Sequence, residues 1–329
     1  MLDLAADLVP LLEAGVPVAA VTVTGVVRSA PRGVGATLAV TRDARVIGSI
    51  SGGCVENDAV MLGLDALRTD AVRRARFGFT DDGTVTPITA GLACGGAVDV
   101  VAYRIDPALS LPALVAARAG REASLHLALD GDGLDLHRPA APRLIILGAG
   151  EHAAALCRLG SAAGFAVTVC DDWALLVTPE RFPDAAELVV AAPDEYLSQL
   201  PSPDARTAIC VLTHDERLDV PALRTALRLP VGFVGAMGAR ATVARRAMLL
   251  RAAGVTDAEL SRLHSPLGLD LGGATAEETA LSVIAEIVAS RNGADARPLR
   301  AAHGPRLHST ARHGTEEHGA TAACAVRTA

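Results

Sequence analysis

The chain has 329 residues, half of them hydrophobic and only 2% aromatic, and its formal net charge is −7. A chain of this length can form two domains that each bury a core. The acidic balance argues against a nucleic-acid-binding protein, because such a protein needs a basic face that neutralises phosphates. With no run of about 20 apolar residues and no basic signal-peptide start, a membrane protein is not indicated and we expect a cytoplasmic one.

The cysteines argue against a disulfide-rich or zinc-binding protein. None of the six belongs to a C-x-x-C pair, and they are spread along the chain as Cys54, Cys94, Cys157, Cys170, Cys210 and Cys324. Disulfide frameworks and zinc knuckles both need closely spaced cysteines. Neither is predicted here.

The first 140 residues predict a mixed α+β domain. Apolar residues at helical spacing predict an opening helix that ends near Gly15, and β-branched residues predict a strand over 17–27. Residues 36–40 and 45–50 are predicted to pair as a hairpin. Residues 73–76 are predicted to be surface, residues near 98–102 a strand, and residues 111–119 a helix. The prolines at 139–142 indicate a stiff connector, where we place the domain boundary.

The most informative motif is G-S-I-S-G-G-C-V-E at residues 48–56. Apolar residues at helical spacing follow it and place Cys54 at the start of a helix, where unpaired amides and the helix dipole favour an anion and lower the pKa of a thiol. Such a turn can also wrap a phosphate in backbone N–H groups. The predicted cofactor-binding residues are Ser51, Gly52, Gly53, Cys54 and Glu56. The alternative is that Ser51 is an ordinary N-cap and Cys54 a small buried residue.

Two neighbouring segments add candidate binding residues. Residues 91–96 read G-L-A-C-G-G, so Cys94, Gly95 and Gly96 form a second glycine-flanked cysteine motif. Arg32 lies in a loop marked by proline and glycines, where it can hold a phosphate or carboxylate through two hydrogen bonds. The alternative for Arg32 is ordinary solvation, which is the commoner state of a loop arginine.

From residue 143 onward, predicted strands alternate with helices, which indicates a doubly wound parallel sheet. The first apolar strand leads directly into G-A-G-E-H-A at residues 148–153, and the second strand ends in an acidic residue. This spacing fits the dinucleotide-binding fingerprint of a Rossmann unit, with Gly148, Gly150, Ala153 and Asp171 as predicted cofactor-binding residues. The alternative is a domain that keeps the turn but binds no dinucleotide.

Further strands near 187–190, 207–212 and 231–234 extend the predicted sheet. The loops after them lie at its carboxyl edge, where functional residues of such sheets collect. His214 is a candidate acid–base residue in one of these loops, and the alternative is a loop histidine without a chemical role.

Near the carboxyl end, two threonine–glutamate pairs have the spacing of capping boxes, Thr256 with Glu259 and Thr275 with Glu278. Between them lies H-S-P-L-G-L-D-L-G-G at 264–273. It is rich in turn-forming residues and is too distinctive for a simple spacer, but its residue types indicate no particular ligand. Residues 294–329 have no periodicity and predict a disordered tail. Its four histidines, which can hold a metal only weakly, are His303, His308, His313 and His318.

Taken together, these segments resemble the XdhC/CoxI family of accessory proteins for molybdenum hydroxylases over roughly residues 10–291. The resemblance rests on S-A-P-R-G at 29–33, the two glycine–cysteine motifs, G-A-G at 148–150, V-G at 234–235, Arg240, H-S-P-L-G-L-D at 264–270 and T-A-E-E at 275–278. It implies an N-terminal α+β XdhC/CoxI domain over 1–140 and a Rossmann-like, doubly wound parallel-sheet domain over 141–293. The tail lies outside the resemblance.

The resemblance implies a cofactor-binding chaperone without catalytic activity of its own. It implies that the protein binds molybdenum cofactor (molybdopterin), protects it during sulfuration and passes it to an apo hydroxylase of the xanthine dehydrogenase type. It further implies a homodimer that contacts a cysteine desulfurase. A thiolate at Cys54 or Cys94 suits molybdenum or a transferred sulfur, and Arg32 suits the phosphate of the cofactor. We hypothesise that the two cysteine loops converge on one cofactor site.

The residues by themselves are also consistent with two other functions. The first is an NAD(P)-dependent oxidoreductase that uses the glycine turn, Asp171, and His214 as acid–base residue. Relatives often carry a basic residue just past the acidic end of the second Rossmann strand, where this chain has Asp172 and Trp173, so the choice of dinucleotide is not indicated. The second is a thiol enzyme or sulfur carrier with Cys54 as nucleophile.

Overall fold

The computed structural model describes residues 1–28, 30–78 and 96–301. Cys94 and Gly95, with the rest of segment 79–95, and the histidine-containing tail from residue 302 lie outside the described residues. The described chain divides into two compact units. The first contains residues 1–119 and 123–138, and the second contains residues 120–122 and 139–301.

The first unit combines three helices and seven strands within its described residues. Its helices are α1 (Ala5–Glu13), α2 (Glu56–Thr69) and α3 (Pro107–Arg118), and a single 3-10 turn, Leu2–Leu4, precedes α1. Its strands are β1 (Val18–Val27), β2 (Thr37–Thr41), β3 (Val46–Gly48), β4 (Arg73–Gly78), β5 (Ala97–Arg104), β6 (Ala123–Leu129) and β7 (Asp132–Arg138). The predicted opening helix and the hairpin of β2 and β3 are both present.

Strand β1 is the centre of an antiparallel sheet with the order β3-β2-β1-β5-β4. Its first residues are apolar on both sides because both faces of the sheet are covered. Ala19 and Val21 belong to the core beneath α2, whereas Val18 and Ala20 belong to the core formed with α1, α3 and the β6–β7 hairpin. The sheet therefore holds the loop between β3 and α2 at one end of a rigid layer.

Strand β4 is an element for which the sequence analysis assigned only surface. Arg74 and Arg76 are exposed, which is why the segment reads as a surface run, yet its backbone pairs with β5 along the sheet edge. Arg76 binds Asp99 of β5 through two hydrogen bonds, at 2.7 and 2.9 Å. Charged side chains on an edge strand also oppose pairing with other chains.

The second unit is an α/β layer structure. Its strands are β8 (Arg143–Leu147), β9 (Ala166–Asp171), β10 (Glu187–Val190), β11 (Ala208–Val211), β12 (Phe233–Ala236) and β13 (Leu263–His264). Its helices are α4 (Glu151–Ala162), α5 (Pro193–Ser198), α6 (Glu216–Ala226), α7 (Arg240–Ala252), α8 (Asp257–Leu260) and α9 (Ala276–Arg291), with a further 3-10 turn at Leu299–Ala301.

The sheet of the second unit is parallel throughout its described pairs and has the order β10-β9-β8-β11-β12-β13. Counted from β8, this is the order 3-2-1-4-5-6 of a Rossmann fold. Alternate residues of β8 enter two separate cores: Leu144 and Ile146 pack with α4 and α9, and Ile145 and Leu147 pack with α6. The residues of β8 are apolar without interruption because helices cover both faces of the sheet. The predicted Rossmann-like fold is confirmed.

Both predicted capping boxes form in this unit. In α9, the Thr275 hydroxyl accepts a hydrogen bond from the Glu278 amide at 3.1 Å, and the Glu278 carboxylate accepts one from the Thr275 amide at 3.1 Å. Thr256 and Glu259 make the same exchange in α8. Among the described residues, no helix is both long and apolar enough to span a bilayer.

The capping box of α9 leads to a stability prediction. Replacing Thr275 with alanine removes the acceptor for the Glu278 amide, and we expect the free energy of unfolding to fall by about 1 kcal/mol. Ser290→Ala, at the exposed end of the same helix, is the matched control and should change it by less than about 0.5 kcal/mol. Urea denaturation measures both values, and equal stabilities for the two variants would contradict this role of Thr275.

Candidate functional site

The candidate site of the first unit is the turn formed by residues 49–55, which joins β3 to α2. Gly52 and Gly53 have φ angles of +79° and +122°, a region that side-chain-bearing residues rarely adopt. Gly48 is also left-handed, and a Cβ on it would lie 2.7 Å from the Thr37 carbonyl oxygen. These three glycines let the chain reverse direction within a few residues, so that Cys54 lies immediately before the first turn of α2.

The amides of this turn bind the carboxylate of Glu56. One carboxylate oxygen of Glu56 accepts the amides of Ser51 and Gly52 at 2.8 and 3.0 Å, and the other accepts the amide of Gly53 at 2.7 Å. The hydroxyls of Ser49 and Ser51 donate to the same carboxylate at 2.6 and 2.5 Å. The turn is therefore an anion-binding nest whose anion is a side chain of the protein itself.

This arrangement corrects the expectation that the turn presents unpaired amides to an external phosphate. Glu56 is the first residue of α2, and its side chain reaches back over the turn, where it meets both the amides and the positive end of the helix dipole. Partial burial by itself raises the pKa of a carboxyl, but the Ser49 and Ser51 hydroxyls and the turn amides outweigh it and lower the pKa of Glu56 to about 2. The carboxylate stays ionised at neutral pH.

Ser51 holds the turn from the inside. Its buried hydroxyl oxygen accepts hydrogen bonds from the amides of Cys54 and Val55, both at 3.0 Å. The alternative interpretation of Ser51 as an ordinary N-cap is therefore wrong, because Val55 occupies the N-cap position of α2. Ser51 binds amides that precede the helix instead. The Cys54 backbone is thus fixed by Ser51, and its side chain is half-buried.

Cys54 differs from the other cysteines in the described part of the chain. Cys157, Cys170 and Cys210 are buried. Burial raises the pKa of the Cys157 thiol to about 11 and that of Cys170 to about 12, and it also raises the pKa of Cys210. Reaction and metal binding need a thiol that reagents can reach, and Cys54 is the described cysteine whose side chain is not buried.

Arg32 connects its own loop to the cysteine turn. Its guanidinium donates to the carbonyl oxygen of Ser49 at 3.0 Å, and Ser49 in turn donates to Glu56. Two of the segments that the sequence analysis singled out are therefore brought together. A cleft of about 530 Å³ opens beside Arg32, and residues 1–3, 31–36 and 135–138 line it, including the cation Arg138 and the carboxylate of Asp135.

In the second unit, the glycine turn follows β8 as predicted. Gly148 has a φ of +111°, and a Cβ on it would lie 2.9 Å from the Thr213 amide nitrogen, so this position requires glycine. Ala153 is buried in the core where α4 packs on the sheet. The carboxylate of Asp171 accepts the amide of Ala149 at 2.8 Å and the amide of Trp173 at 2.9 Å. Asp171 therefore joins the end of β9 to the glycine turn.

His214 follows β11 and is exposed at the mouth of a cleft of about 230 Å³. Its neighbour Asp215 caps α6 by accepting the Arg217 amide at 2.9 Å, and it also forms an ion pair with the Arg217 side chain. Asp215 is thus occupied by Arg217. The structure gives His214 a place at the carboxyl edge of the sheet, among polar side chains that include Glu216.

A buried ion pair that was not predicted from the sequence lies in the same cleft. Asp219 of α6 is within 3.6 Å of Arg246 of α7, and it accepts the Thr213 hydroxyl. Arg246 also donates to the Met237 carbonyl at 2.6 Å and to Ser265 at 2.9 Å. Burial raises the pKa of Asp219. The available signal was an acidic residue on the apolar face of α6, whereas Arg246 is one of several arginines along α7 and has no distinctive spacing.

The H-S-P-L-G-L-D loop is anchored by α9. Glu286 binds the His264 ring nitrogen at 2.8 Å and the Gly268 amide at 2.7 Å. The His264 ring also stacks on Phe233 with centroids 4.2 Å apart. Within residues 1–28, 30–78 and 96–301, no group of three histidine, cysteine, aspartate or glutamate side chains is arranged to hold a metal ion.

Comparison with known protein families identifies both units. Residues 11–78 match the XdhC and CoxI family, and residues 144–287 match the XdhC Rossmann domain. The first match contains Arg32 and the cysteine turn, and the second contains the glycine turn, Asp171 and the loop at His264.

Three curated relatives are similar at the sequence level. The molybdenum cofactor insertion chaperone PaoD of Escherichia coli is 26% identical over 300 residues, which cover 86% of each chain. The uncharacterised protein YqeB of Escherichia coli is 27% identical over 79% of this chain, and the match covers 41% of YqeB. A Bacillus subtilis protein described as a probable xanthine dehydrogenase subunit is 32% identical over 46% of this chain and 43% of its own length. The chain thus spans less than half of the latter two relatives.

A solved structure has the same fold. The crystal structure of a protein described as a xanthine dehydrogenase from Bacillus halodurans superimposes with a TM-score of 0.71, and the match covers 92% of this chain and 97% of that one. At 21% identity this likeness concerns the fold. The two family matches, which carry the glycine–cysteine turn and the Rossmann glycine turn in their expected order, place this chain in the XdhC/CoxI family.

Proposed function

We propose that the protein is a molybdenum cofactor chaperone, which binds the cofactor and inserts it into an apo hydroxylase of the xanthine dehydrogenase type. The observation that carries the proposal is the position of Cys54, a half-buried thiol on a turn that Glu56 and Ser51 hold rigid. The similarity to PaoD along 86% of both chains supports the same role.

The chemistry of the turn defines what Cys54 can bind. A thiolate is a soft donor and suits a soft, sulfur-bound metal centre. Because the Glu56 carboxylate already accepts the turn amides, a phosphate group has no place in the nest itself. The turn therefore presents one sulfur atom in a fixed position, and the anionic part of the cofactor lies elsewhere.

Arg32 and the cleft beside it suit that anionic part. The guanidinium donates one N–H group to the carbonyl oxygen of Ser49, and its other N–H groups can bind a phosphate. Asp135 and Arg138 also line this cleft. Each has a partner, His126 for Asp135 and Asp3 for Arg138, and their remaining acceptor and donor atoms suit the polar edges of a pterin. The cleft volume of about 530 Å³ lies within the usual range for small-molecule sites.

The finer parts of the function belong to the same proposal. Cys54 holds the cofactor, or carries its sulfur, while a cysteine desulfurase supplies the sulfur atom. The cysteine turn and the Arg32 loop belong to an XdhC/CoxI domain at 1–140, and residues 141–293 form the Rossmann-like domain. Cys94 joins Cys54 at the cofactor, and the protein acts as a cytoplasmic homodimer.

Replacing Cys54 with serine tests the sulfur contact. We expect at least about tenfold less molybdopterin in the purified protein, since a hydroxyl is a poor ligand for a soft metal. Mass spectrometry of the released cofactor and metal analysis of the protein measure the loss. Cys157→Ala is the matched control, because Cys157 is buried in the second unit, and it should keep the wild-type content. Normal content in Cys54→Ser would exclude this thiol as a cofactor ligand.

Replacing Arg32 with alanine tests the anion contact. We expect cofactor retention to fall by roughly tenfold, as for the loss of a hydrogen bond to a charged group. Arg42→Ala removes an exposed arginine from the nearby hairpin turn and should leave retention unchanged. Equilibrium dialysis against molybdopterin gives the affinities of both variants. An equal loss of affinity in the two would mean that net charge, and not a contact made by Arg32, determines binding.

Glu56→Gln tests the internal anion of the turn. The glutamine keeps the shape but replaces an acceptor oxygen with an NH₂ group, so we expect a loss of roughly 1–3 kcal/mol of unfolding free energy at pH 7. The folded pKa of about 2 lies below the ordinary value of 4.5, so the stabilising effect of Glu56 is complete above about pH 5. It is lost as the pH falls from about 5 towards about 2.

The difference between wild type and Glu56→Gln should therefore shrink on acidification, as measured by denaturant unfolding between about pH 3 and about pH 7. Glu151→Gln is the control, because Glu151 is also a first-turn residue of a helix but is exposed. It should show neither the loss nor the pH dependence. A constant difference for Glu56→Gln across the series would contradict the role of its charge.

A further inference from the structure

Trp173 is an exposed aromatic residue that belongs to none of the hydrophobic cores. It is the single tryptophan of the chain, and 61% of it is exposed, next to Leu175 with 78% exposed. Large aromatic side chains normally bury most of their area. At this exposure, the indole is accessible to a planar ring from solvent.

The backbone of Trp173 is held by hydrogen bonds. Asp171, which is only 9% exposed, binds the Trp173 amide with one carboxylate oxygen and the Ala149 amide of the glycine turn with the other, at 2.9 and 2.8 Å. Further along the same segment, Arg181 donates to the Ala149 carbonyl at 3.0 Å. The segment that carries the indole is therefore attached to the glycine turn at both ends.

The fold places this indole at a ligand-binding edge. Trp173 comes two residues after the end of β9, and Val190 at the end of β10 pairs with Asp171 and is itself 53% exposed. In a sheet of this order, ligands bind outside the carboxyl ends of the strands. A Cβ on Gly150 would meet no atom within 4 Å, so the space next to the turn is open.

We propose that Trp173 is the stacking platform for a planar nitrogen heterocycle, either a nucleotide base or a pterin, carried on a phosphorylated ligand. The exposed Asp172 carboxylate accepts the amino or hydroxyl donors of that ligand, and Asp171 positions the indole through its amide contacts. This site is in the second unit and does not depend on Cys54. Its failure and that of the cofactor-chaperone function are distinguishable, because the two use different residues and different measurements.

Intrinsic fluorescence tests the proposal directly, since the protein holds a single tryptophan. ADP, CDP and neopterin monophosphate are titrated separately into the full-length protein, with free N-acetyltryptophanamide as the correction for absorbed light. Saturable quenching by ADP or CDP would assign a nucleotide base, and saturable quenching by neopterin monophosphate alone would assign a pterin. Both results support the proposal.

Variants separate stacking from a general surface effect. By calorimetry, Trp173→Phe should keep the affinity of the best probe within about threefold, whereas Trp173→Ala should weaken it by roughly 5- to 150-fold. Leu175→Ala removes a neighbouring exposed apolar side chain and should have no effect, and circular dichroism confirms the fold of each variant. The proposal is overturned if none of the three probes saturates below millimolar concentration. Equal affinities of Trp173→Ala and Trp173→Phe, or a fluorescence change only with an apo hydroxylase, would also overturn it.

Discussion

The contact between the Glu56 carboxylate and the amides of residues 51–53 is the constraint on which the candidate site depends. A reversal of the chain through left-handed glycines exposes several N–H groups on one side, and such groups must find an acceptor. Glu56 supplies it from the first turn of α2. The amides of the turn are thereby satisfied by the chain itself, and Cys54 lies at the entrance of a helix whose positive end is already compensated.

The same solution recurs in the second unit, where carboxylates also accept hydrogen bonds from loop amides. Asp171 binds the amide of Ala149, Glu286 binds that of Gly268, and Glu278 binds those of Ala274 and Thr275. Each carboxylate lies on or beside a regular element and each amide lies in a loop. The motifs that characterise this chain are therefore glycine-rich turns that acidic side chains hold in place.

Much of this architecture was predictable, because it rests on local patterns. Three features are examples: the apolar run of β8, the glycine turn after it, and the two capping boxes. Each of them is defined by residues that are only a few positions apart in the chain. The Rossmann order followed because a parallel sheet with short connections has few possible topologies. The presence of an acid in the cysteine motif was also clear, whereas its orientation towards the turn depends on the φ angles of Gly52 and Gly53, which residue types alone do not determine.

Other features could not be predicted because they depend on contacts between distant segments. Asp219 and Arg246 are on different helices, and no spacing rule connects them before α6 and α7 are packed side by side. Strand β4 looked like surface because its outward side chains are arginines, and its pairing becomes evident only once β5 lies beside it. Arg32 had no recognisable partner in the sequence, since its acceptor is the backbone carbonyl of Ser49.

The burial of Cys157, Cys170 and Cys210 has a consequence for oxidation chemistry. Peroxide and alkylating reagents attack accessible thiolates, and at neutral pH these three side chains are protonated and enclosed. Among the four described cysteines, oxidative damage and covalent labelling are therefore directed to Cys54. The core of the second unit is protected from the same reagents, so oxidation of Cys54 leaves the packing of that core intact.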